Sequence, residues 1–358
     1  MSRFLLIDVG AGTMDVLYFD EESDLHYKAV VKSPVRDLAE KAAALQGNLV
    51  ITGTEMGGGA ISGVLRERAR EHEVVMSVSS AATIHHDLEK VLASGIKVVE
   101  DREAEALRND PKYNHLTLGD LQMGRLKRIV EGFGVPFSFD IVGVCAQDHG
   151  VSEPGMSHLD FRHNIFSAAL DENPFPQTLL YKGGDVPSTL NRLSSVAESA
   201  GTLPADEVYV MDSGIAAILG SSMDTMAISK ERILILDVAT SHTLGAAIAG
   251  EEIAGFFEYH TRDITLDRLE QLIPDLADGK LDHKQILEAG GHGAYMRESF
   301  GFDAAEVIIA TGPRRRLVEG TRLPIVFGAP FGDNMMTGTV GILEAIRRRK
   351  GLAPMEYL

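Results

Sequence analysis

A chain of 358 residues is too long for one ordinary hydrophobic core, and 44% hydrophobic residues supply enough apolar mass to fill two lobes of common domain size. The formal charge of -18 excludes nucleic acid and anionic membrane surfaces as natural partners, because no net positive potential neutralises phosphates; small molecules and other proteins remain. Cys145, the only cysteine, excludes an internal disulfide, a thiolate iron–sulfur cluster and a cysteine zinc site, and suits a reducing cytosol.

The opening segment, MSRFLLIDVGAG, carries neither the apolar run nor the cleavage site of a secretory signal. No stretch of about 18 apolar residues occurs either, so a cytoplasmic protein without membrane contact is expected. The pattern predicts three consecutive strands over 4–9, 13–20 and 26–32, with turn chemistry at Gly10-Ala11-Gly12 and Glu22-Ser23-Asp24.

The first turn, within Ile7-Asp8-Val9-Gly10-Ala11-Gly12-Thr13-Met14-Asp15, carries Gly-x-Gly directly after a strand. A dinucleotide fingerprint needs a helix opening on its third glycine; here Asp15 takes that place and Val16-Leu17-Tyr18-Phe19 continues as a strand. A strand–turn–strand hairpin can still bind phosphate, because glycines let successive N–H groups point into one concavity. Asp8 at the strand end then suits Mg2+ or its waters, since that ion keeps much of its water shell and needs only one or two carboxylates. Thr13 adds a hydroxyl. Taken alone, the segment fits a tight hairpin equally well.

Further on, apolar strands over 48–52, 73–78, 96–99 and 139–145 alternate with helical stretches over 37–45, 61–70 and 121–131, the pattern of an α/β chain with covered sheets. Gly53-Thr54-Glu55-Met56-Gly57-Gly58-Gly59 follows a strand and precedes a helix. Free N–H groups there favour an anion, which makes Gly57, Gly58 and Gly59 substrate candidates, although a flexible loop and helix cap fit the same residues. Cys145-Ala146-Gln147-Asp148-His149-Gly150 ends a strand, and His158, Asp160, Arg162 and His163 are expected to follow within one loop. Imidazole and carboxylate suit either a metal or acid–base chemistry; the spacing matches no metal signature, so a substrate-facing loop carrying Asp148 and His149 is preferred, with a metal site and a hydrogen-bonded structural loop as the alternatives.

A strand over 208–211 then runs into a small-residue helix carrying Ala216 and Ala217, which permit close helix approach. From 233 the opening pattern returns as strands over 233–238, 242–249 and 252–259. Superposing Phe4–Val9 on Ile233–Val238 puts Asp237 where Asp8 stands, which predicts two similar lobes facing one another across a cleft. The second turn reads Asp237-Val238-Ala239-Thr240-Ser241-His242-Thr243, hydroxyls in place of glycines. Gly290-Gly291-His292-Gly293 fits either a turn facing a ligand or, more simply, a helix-terminating glycine pair. An apolar strand over 307–311 ends in Thr311-Gly312-Pro313-Arg314 and leads toward a basic helix start, and a last helix runs from about 333 to 349, its Arg347–Lys350 cluster complementing the helix dipole.

Five of these elements, in this order, resemble the actin-like ATPase superfamily of sugar kinases, actin and heat-shock chaperone ATPases: the first turn, the helix after 212, the second turn, the Thr-Gly-Pro segment and the final helix. The chain as a whole resembles an actin-like ATPase family catalogued as related to pyruvate formate-lyase activating enzyme. The resemblance implies two lobes of a duplicated, ribonuclease H-like α/β fold: 1–212, 213–332, and a helix over 333–358 crossing back. It also implies a cleft for ATP and Mg2+. Asp8 and Asp237 would be catalytic and hold the metal; Gly10, Ala11, Gly12, Thr13, Thr240 and Ser241 would hold phosphate; Gly312, Pro313 and Arg314 would take the adenosine. Expected activity is phosphoryl transfer to an unidentified small molecule or to water. The alternatives are a nucleotide-driven switch acting on a partner protein and a non-hydrolysing sensor, since the second turn departs from the glycine run of many relatives. A radical activating enzyme is excluded, because its cluster needs three cysteines and this chain has one.

Overall fold

The computed structural model describes residues 2–152 and 157–353. Parts of two expected features, residues 153–156 of the segment between His149 and His163 and residues 354–358 after the last helix, lie outside the described residues, as does Met1. In chain order the first part contains β1 (Arg3–Val9), β2 (Thr13–Asp20), β3 (Leu25–Lys32), α1 (Pro34–Ala44), β4 (Asn48–Gly53), α2 (Gly59–Arg68), β5 (Val74–Ser77), α3 (Val78–Ala81), α4 (Leu88–Ala93), β6 (Lys97–Val99), α5 (Asp101–Leu107), β7 (Tyr113–Leu118), α6 (Met123–Gly132), β8 (Phe139–Ala146), α7 (His158–Glu172), β9 (Leu180–Lys182), α8 (Asn191–Ala200), β10 (Ala205–Met211) and α9 (Ser213–Ser222). The remainder contains β11 (Arg232–Val238), β12 (His242–Ala249), β13 (Glu252–His260), α10 (Leu266–Ala277), α11 (His283–Glu288), β14 (Gly293–Met296), β15 (Val307–Thr311), β16 (Ile325–Phe327) and α12 (Thr337–Arg349).

Two six-stranded sheets have the orders β3-β2-β1-β8-β10-β9 and β14-β13-β12-β11-β15-β16. In both, three antiparallel strands continue into two parallel ones: β1 pairs parallel with β8 and β8 with β10, as β11 does with β15 and β15 with β16. The register sets Asp8 opposite Asp15 and Cys145, and Asp237 opposite Leu244 and Thr311, so the two aspartates occupy equivalent strand ends.

Alternation along the central strands explains how the sheets are held together. In β1, Phe4 and Leu6 point into a core that also contains Ile233 and Ile235 of β11 and the apolar residues of α9 and α12, whereas Leu5, Ile7 and Val9 face a separate core with Leu126 of α6 and Leu193 of α8. Strand β11 does the same, sending Leu234, Leu236 and Val238 toward Leu269 and Ile273 of α10. Each central strand is therefore covered on both faces, which is why it reads as a continuous apolar run. At the crossing of α9 and α12, a Cβ on Gly220 would stand 1.9 Å from the Thr337 carbonyl oxygen, and one on Gly341 would stand 1.7 Å from that of Ala216. Only glycine permits that approach.

A four-stranded sheet, β6-β5-β4-β7, is parallel throughout and has its own core around Leu49, Ile51, Met56 and Ile61. Alternation predicts three of its strands, β4, β5 and β6, but neither β7 nor the separation of the sheet from the first one, because periodicity carries no information on pairing.

Three local expectations are corrected. His158, Asp160, Arg162 and His163 lie on helix α7 and not in a loop; the Ser157 Oγ caps that helix by accepting from the Leu159 N–H at 3.2 Å. The residues after Arg314 form only a short 3-10 turn, Arg315–Val318. The last helix begins at Thr337, because the chain reverses before it at Phe331 and Gly332, both with positive φ. Its basic end also does more than complement a dipole: Arg347 bonds Glu21 at 2.5 Å, and Lys350 bonds Glu207 at 2.5 Å, pinning α12 to the first sheet. Among the described residues, no helix is long and apolar enough to cross a membrane.

Candidate functional site

A cavity of about 490 Å³ opens where the strand ends of the two six-stranded sheets meet. Asp8, Gly10, Ala11 and Thr13 line it from the first turn, Asp237, Thr240 and Ser241 from the second, and Gly312 and Pro313 from the end of β15. The two turns touch behind it, since a Cβ on Gly12 would lie 2.8 Å from Thr240 Oγ1. The first turn is held from below by Ser33, whose Oγ–H donates to the Gly10 carbonyl at 2.6 Å while its oxygen caps α1. Arg314 is exposed and stands outside the lining.

Three carboxylates converge here. Asp8 accepts a hydrogen bond from Ser213 Oγ at 2.6 Å, and its other oxygen faces α12, where a Cβ on Gly338 would come within 2.1 Å. Asp237 faces Thr311 and Gly312; a Cβ on that glycine would stand 2.7 Å from Asp237 Oδ1. Asp15 is buried, and its Oδ1 has no hydrogen-bond partner. Asp8 and Asp237 keep some exposure to the cavity, but the surrounding protein strips water from all three. Desolvation raises Asp8 to about 6, against the hydrogen bond from Ser213. Desolvation and then the Asp8 charge raise Asp237 to about 7 and Asp15 to about 8. An orphaned buried oxygen among three mutually repelling acids is a donor set that fits a hydrated divalent cation.

The four-stranded sheet contributes the opposite wall. The loop between β4 and α2 brings Glu55, Gly57, Gly58 and Gly59 to the cavity, and His85 and His86 come from the segment after α3. His86 Nε2 lies 2.8 Å from Glu55 Oε1, which raises the histidine, and Glu55 Oε2 is buried without a partner. Gly57 has no room for a side chain, because a Cβ would stand 2.8 Å from Arg192 Nη2; that arginine is locked by Asp120 at 2.8 and 3.0 Å and by the Gln147 carbonyl at 2.7 Å. Asp148 lines the cavity, yet its oxygens accept from the Gly150 and Leu193 N–H groups at 2.7 and 2.9 Å, so it braces its own loop.

His149 joins side chains from the second sheet. Its ligand nitrogen and those of His242 and His292 lie within 4.8 Å of one another. Desolvation lowers His149 to about 3 and His242 to about 4, keeping both imidazoles neutral. His158 stands elsewhere, its ring beside those of His85 and His86, and His163 stacks on His283 with centroids 3.7 Å apart. Below the cluster, Arg162 donates to both oxygens of Asp212 at 3.0 Å and to Glu258, linking a cap of α9 to β13. Burial opposes the charge of Glu258, but the Arg162 guanidinium outweighs it and holds the carboxyl well below its usual range.

Sequence patterns gave no site role to Asp15, Ser213, Glu55, His86 or His242, and Arg162, named in the expected loop, was not paired with Asp212 or Glu258. For Asp15 the signal was present, an acid inside the apolar strand Met14–Phe19; for the others the partners come from distant segments.

The class of protein follows from the topology. One strand order used twice, with a helix from each repeat crossing between the sheets, is the duplicated, two-lobed α/β fold of the actin-like ATPases. More narrowly, residues 56–317 match the family described as "Putative pyruvate format-lyase activating enzyme (DUF1786)", and the chain belongs to that family. Cys145, the one cysteine of the sequence, is buried in the strand beside Asp8. No curated protein matches the chain. Among solved structures it is similar to an inorganic polyphosphate/ATP-glucomannokinase from Arthrobacter sp. strain KM, at 13% identity over 98% of this chain and 100% of that one, with a TM-score of 0.36. It is also similar to the PilM-PilN type IV pilus biogenesis complex, at 11% identity over 98% of each chain and a TM-score of 0.37. A ROK family glucokinase from Streptomyces griseus, in complex with glucose and AMPPNP, is similar at 11% identity over 98% of this chain and 100% of that one, with a TM-score of 0.33.

Proposed function

We propose that this chain binds ATP with Mg2+ between its two six-stranded sheets and passes the terminal phosphoryl group to a small molecule or to water. The observation that carries the reading is the convergence on one cavity of Asp8 and Asp237 from equivalent strand ends, with Asp15 of β2 opposite Asp8. Asp8 and Asp237 would hold the ion or its waters, and Ser213 would keep Asp8 in one orientation. Mg2+, when bound, would neutralise charge on the phosphates. Backbone N–H groups of Gly10 and Ala11 and the hydroxyls of Thr13, Thr240 and Ser241 would hold phosphate oxygens, while Gly312 and Pro313 would take the adenosine side. Asp237, at the strand end facing the acceptor space, would also orient the attacking hydroxyl. Gly57, Gly58 and Gly59, with Glu55 and His86, would line the acceptor end. In this reading residues 1–212 form one lobe, 213–332 the other, and the segment from 333 crosses back.

The close crossing at Gly220 and Gly341 favours a second reading, a nucleotide-driven switch, because smooth helix faces permit sliding between two packed states. Calorimetric titration with ATP, with and without Mg2+, tests the shared premise. Binding strengthened by Mg2+ is expected; a folded protein that ignores millimolar ATP, ADP and GTP rejects both readings. Phosphorus NMR of the γ-phosphate then separates them, since a phosphotransferase responds to added metabolites and a switch only to a protein partner.

A further inference from the structure

The second sheet gathers histidines by register. His242 begins β12 directly opposite His260, the last residue of β13. Two residues back on β13, Glu258 pairs with Gly293 of β14, and its carbonyl accepts from the His292 N–H at 2.8 Å. One end of three adjacent strands therefore carries His242, His260 and His292, with ring centroids 4.8 Å apart for His242 and His292 and 4.4 Å for His260 and His292. His149, on the loop after β8, reaches the same point from the first sheet, 6.2 and 6.3 Å by ring centroid from His242 and His292.

Packing alone leaves this cluster unexplained. His242 Nε2 is buried with no hydrogen-bond partner, and such a group calls for an ion, a water or a role. His292 Nδ1 stands 3.7 Å from Glu258 Oε1, too far for a hydrogen bond. That is nonetheless the placement of a carboxylate that orients a metal-bound imidazole through its other nitrogen. Glu258 is itself fixed by Gln147 Nε2 at 2.6 Å and by Arg162. The one guanidinium of Arg162 sits between two carboxylates, Asp212 and Glu258, so the charge beside the imidazoles is net negative and favours a cation.

We propose that His149, His242 and His292 form a three-histidine site for a zinc-class divalent ion, with a fourth position open to the cavity. Nitrogens bound at about 2.1 Å in a tetrahedron stand about 3.4 Å apart, so rotations of roughly an ångström bring the three into place. His149 and His242 line the cavity, so the open position faces the same space as Asp8 and Asp237 and takes an oxygen ligand, water or an oxygen of a small molecule. Imidazole donors suit zinc and its neighbours, whereas Mg2+ prefers the oxygens of the aspartates, so the two ions sort to different ends of one cavity. Because His149 belongs to the first sheet and the other two to the second, the bound ion ties the sheets together.

The test does not depend on nucleotide. Chelator-treated full-length protein is titrated with Co2+ and then Zn2+, with metal content measured by mass spectrometry. One ion per chain is expected, with the intense visible absorption of four-coordinate Co2+, abolished by Zn2+. His242→Gln and His292→Gln should each weaken Zn2+ binding by about 100-fold or more, and Asp8→Asn should leave it unchanged. A cobalt complex with only the weak spectrum of the six-coordinate ion overturns the proposal in the unaltered protein, whatever the variants do. Zinc affinity that falls with Asp8→Asn and not with the histidine variants overturns it as well.

Discussion

Asp237 is held in its folded position at a cost that depends on pH. Its carboxyl rises from 3.8 to about 7, mainly through desolvation and secondarily through Asp8. A raised carboxylate pKa means that the folded state binds the proton more tightly than the unfolded state does. The associated stability is therefore complete below about pH 4 and is lost as pH climbs to about 7. At 1.36 kcal/mol per unit, the metal-free protein loses about 4 kcal/mol across that window on account of this one group. Asp237→Asn keeps the shape and removes the titration. Without divalent cations, the variant and the parent should match near pH 4, and the variant should be more stable by about 4 kcal/mol at pH 8. Urea denaturation at several pH values measures the difference directly. A gap that stays flat with pH, or a variant less stable than the parent at pH 8, would refute the placement of this carboxylate. The stabilised variant should keep nucleotide affinity measured without Mg2+ while losing any turnover, the pattern of a group that acts in the transition state.

Two further predictions follow from packing. Arg162→Met should cost about 3–5 kcal/mol in chemical denaturation by leaving Asp212 and Glu258 buried without a counter-charge, and adding Asp212→Asn and Glu258→Gln should recover most of it; a single variant as stable as the parent would show the triad is not needed. Gly341→Ala would force a Cβ to 1.7 Å from the Ala216 carbonyl oxygen and should destabilise by about 1–3 kcal/mol or more, whereas Gly63→Ala on α2, facing open space, should stabilise by about 0.5–1 kcal/mol. Equal effects of the two glycine substitutions would contradict the close crossing of α9 and α12.

Much of the architecture was legible in the sequence because it is written in local periodicity. Phe4–Val9 and Ile233–Val238 share length, apolar character and an aspartate in the same place, which is enough to predict two equivalent sheets with facing turns. The phosphate-facing turn at Gly10 and Ala11 came from local turn chemistry, whereas Thr240, Ser241, Gly312 and Pro313 were implied by the resemblance to the actin-like ATPases; tertiary structure brings all of them to one cavity. Where periodicity is silent, the reading fails: the loop expected over His158–His163 is the first part of α7, whose N-terminal turn is polar and whose cap, Ser157, is one residue among several turn formers.

Pairing and long-range proximity belong to the tertiary structure alone. Chain order says nothing of which strand neighbours which, so the four-stranded sheet and the Glu55–His86 wall it supplies emerged only on folding. The same holds for charge. Asp15 becomes a third acid of the cavity because β1 and β2 pair in the register that sets it opposite Asp8, and because burial then leaves its oxygen without a partner. His149, His242 and His292 are separated by long stretches of unrelated sequence, and no spacing rule links them. They meet because three strands of one sheet end together and a loop of the other sheet arrives at the same point, a coincidence in space that one-dimensional patterns do not encode.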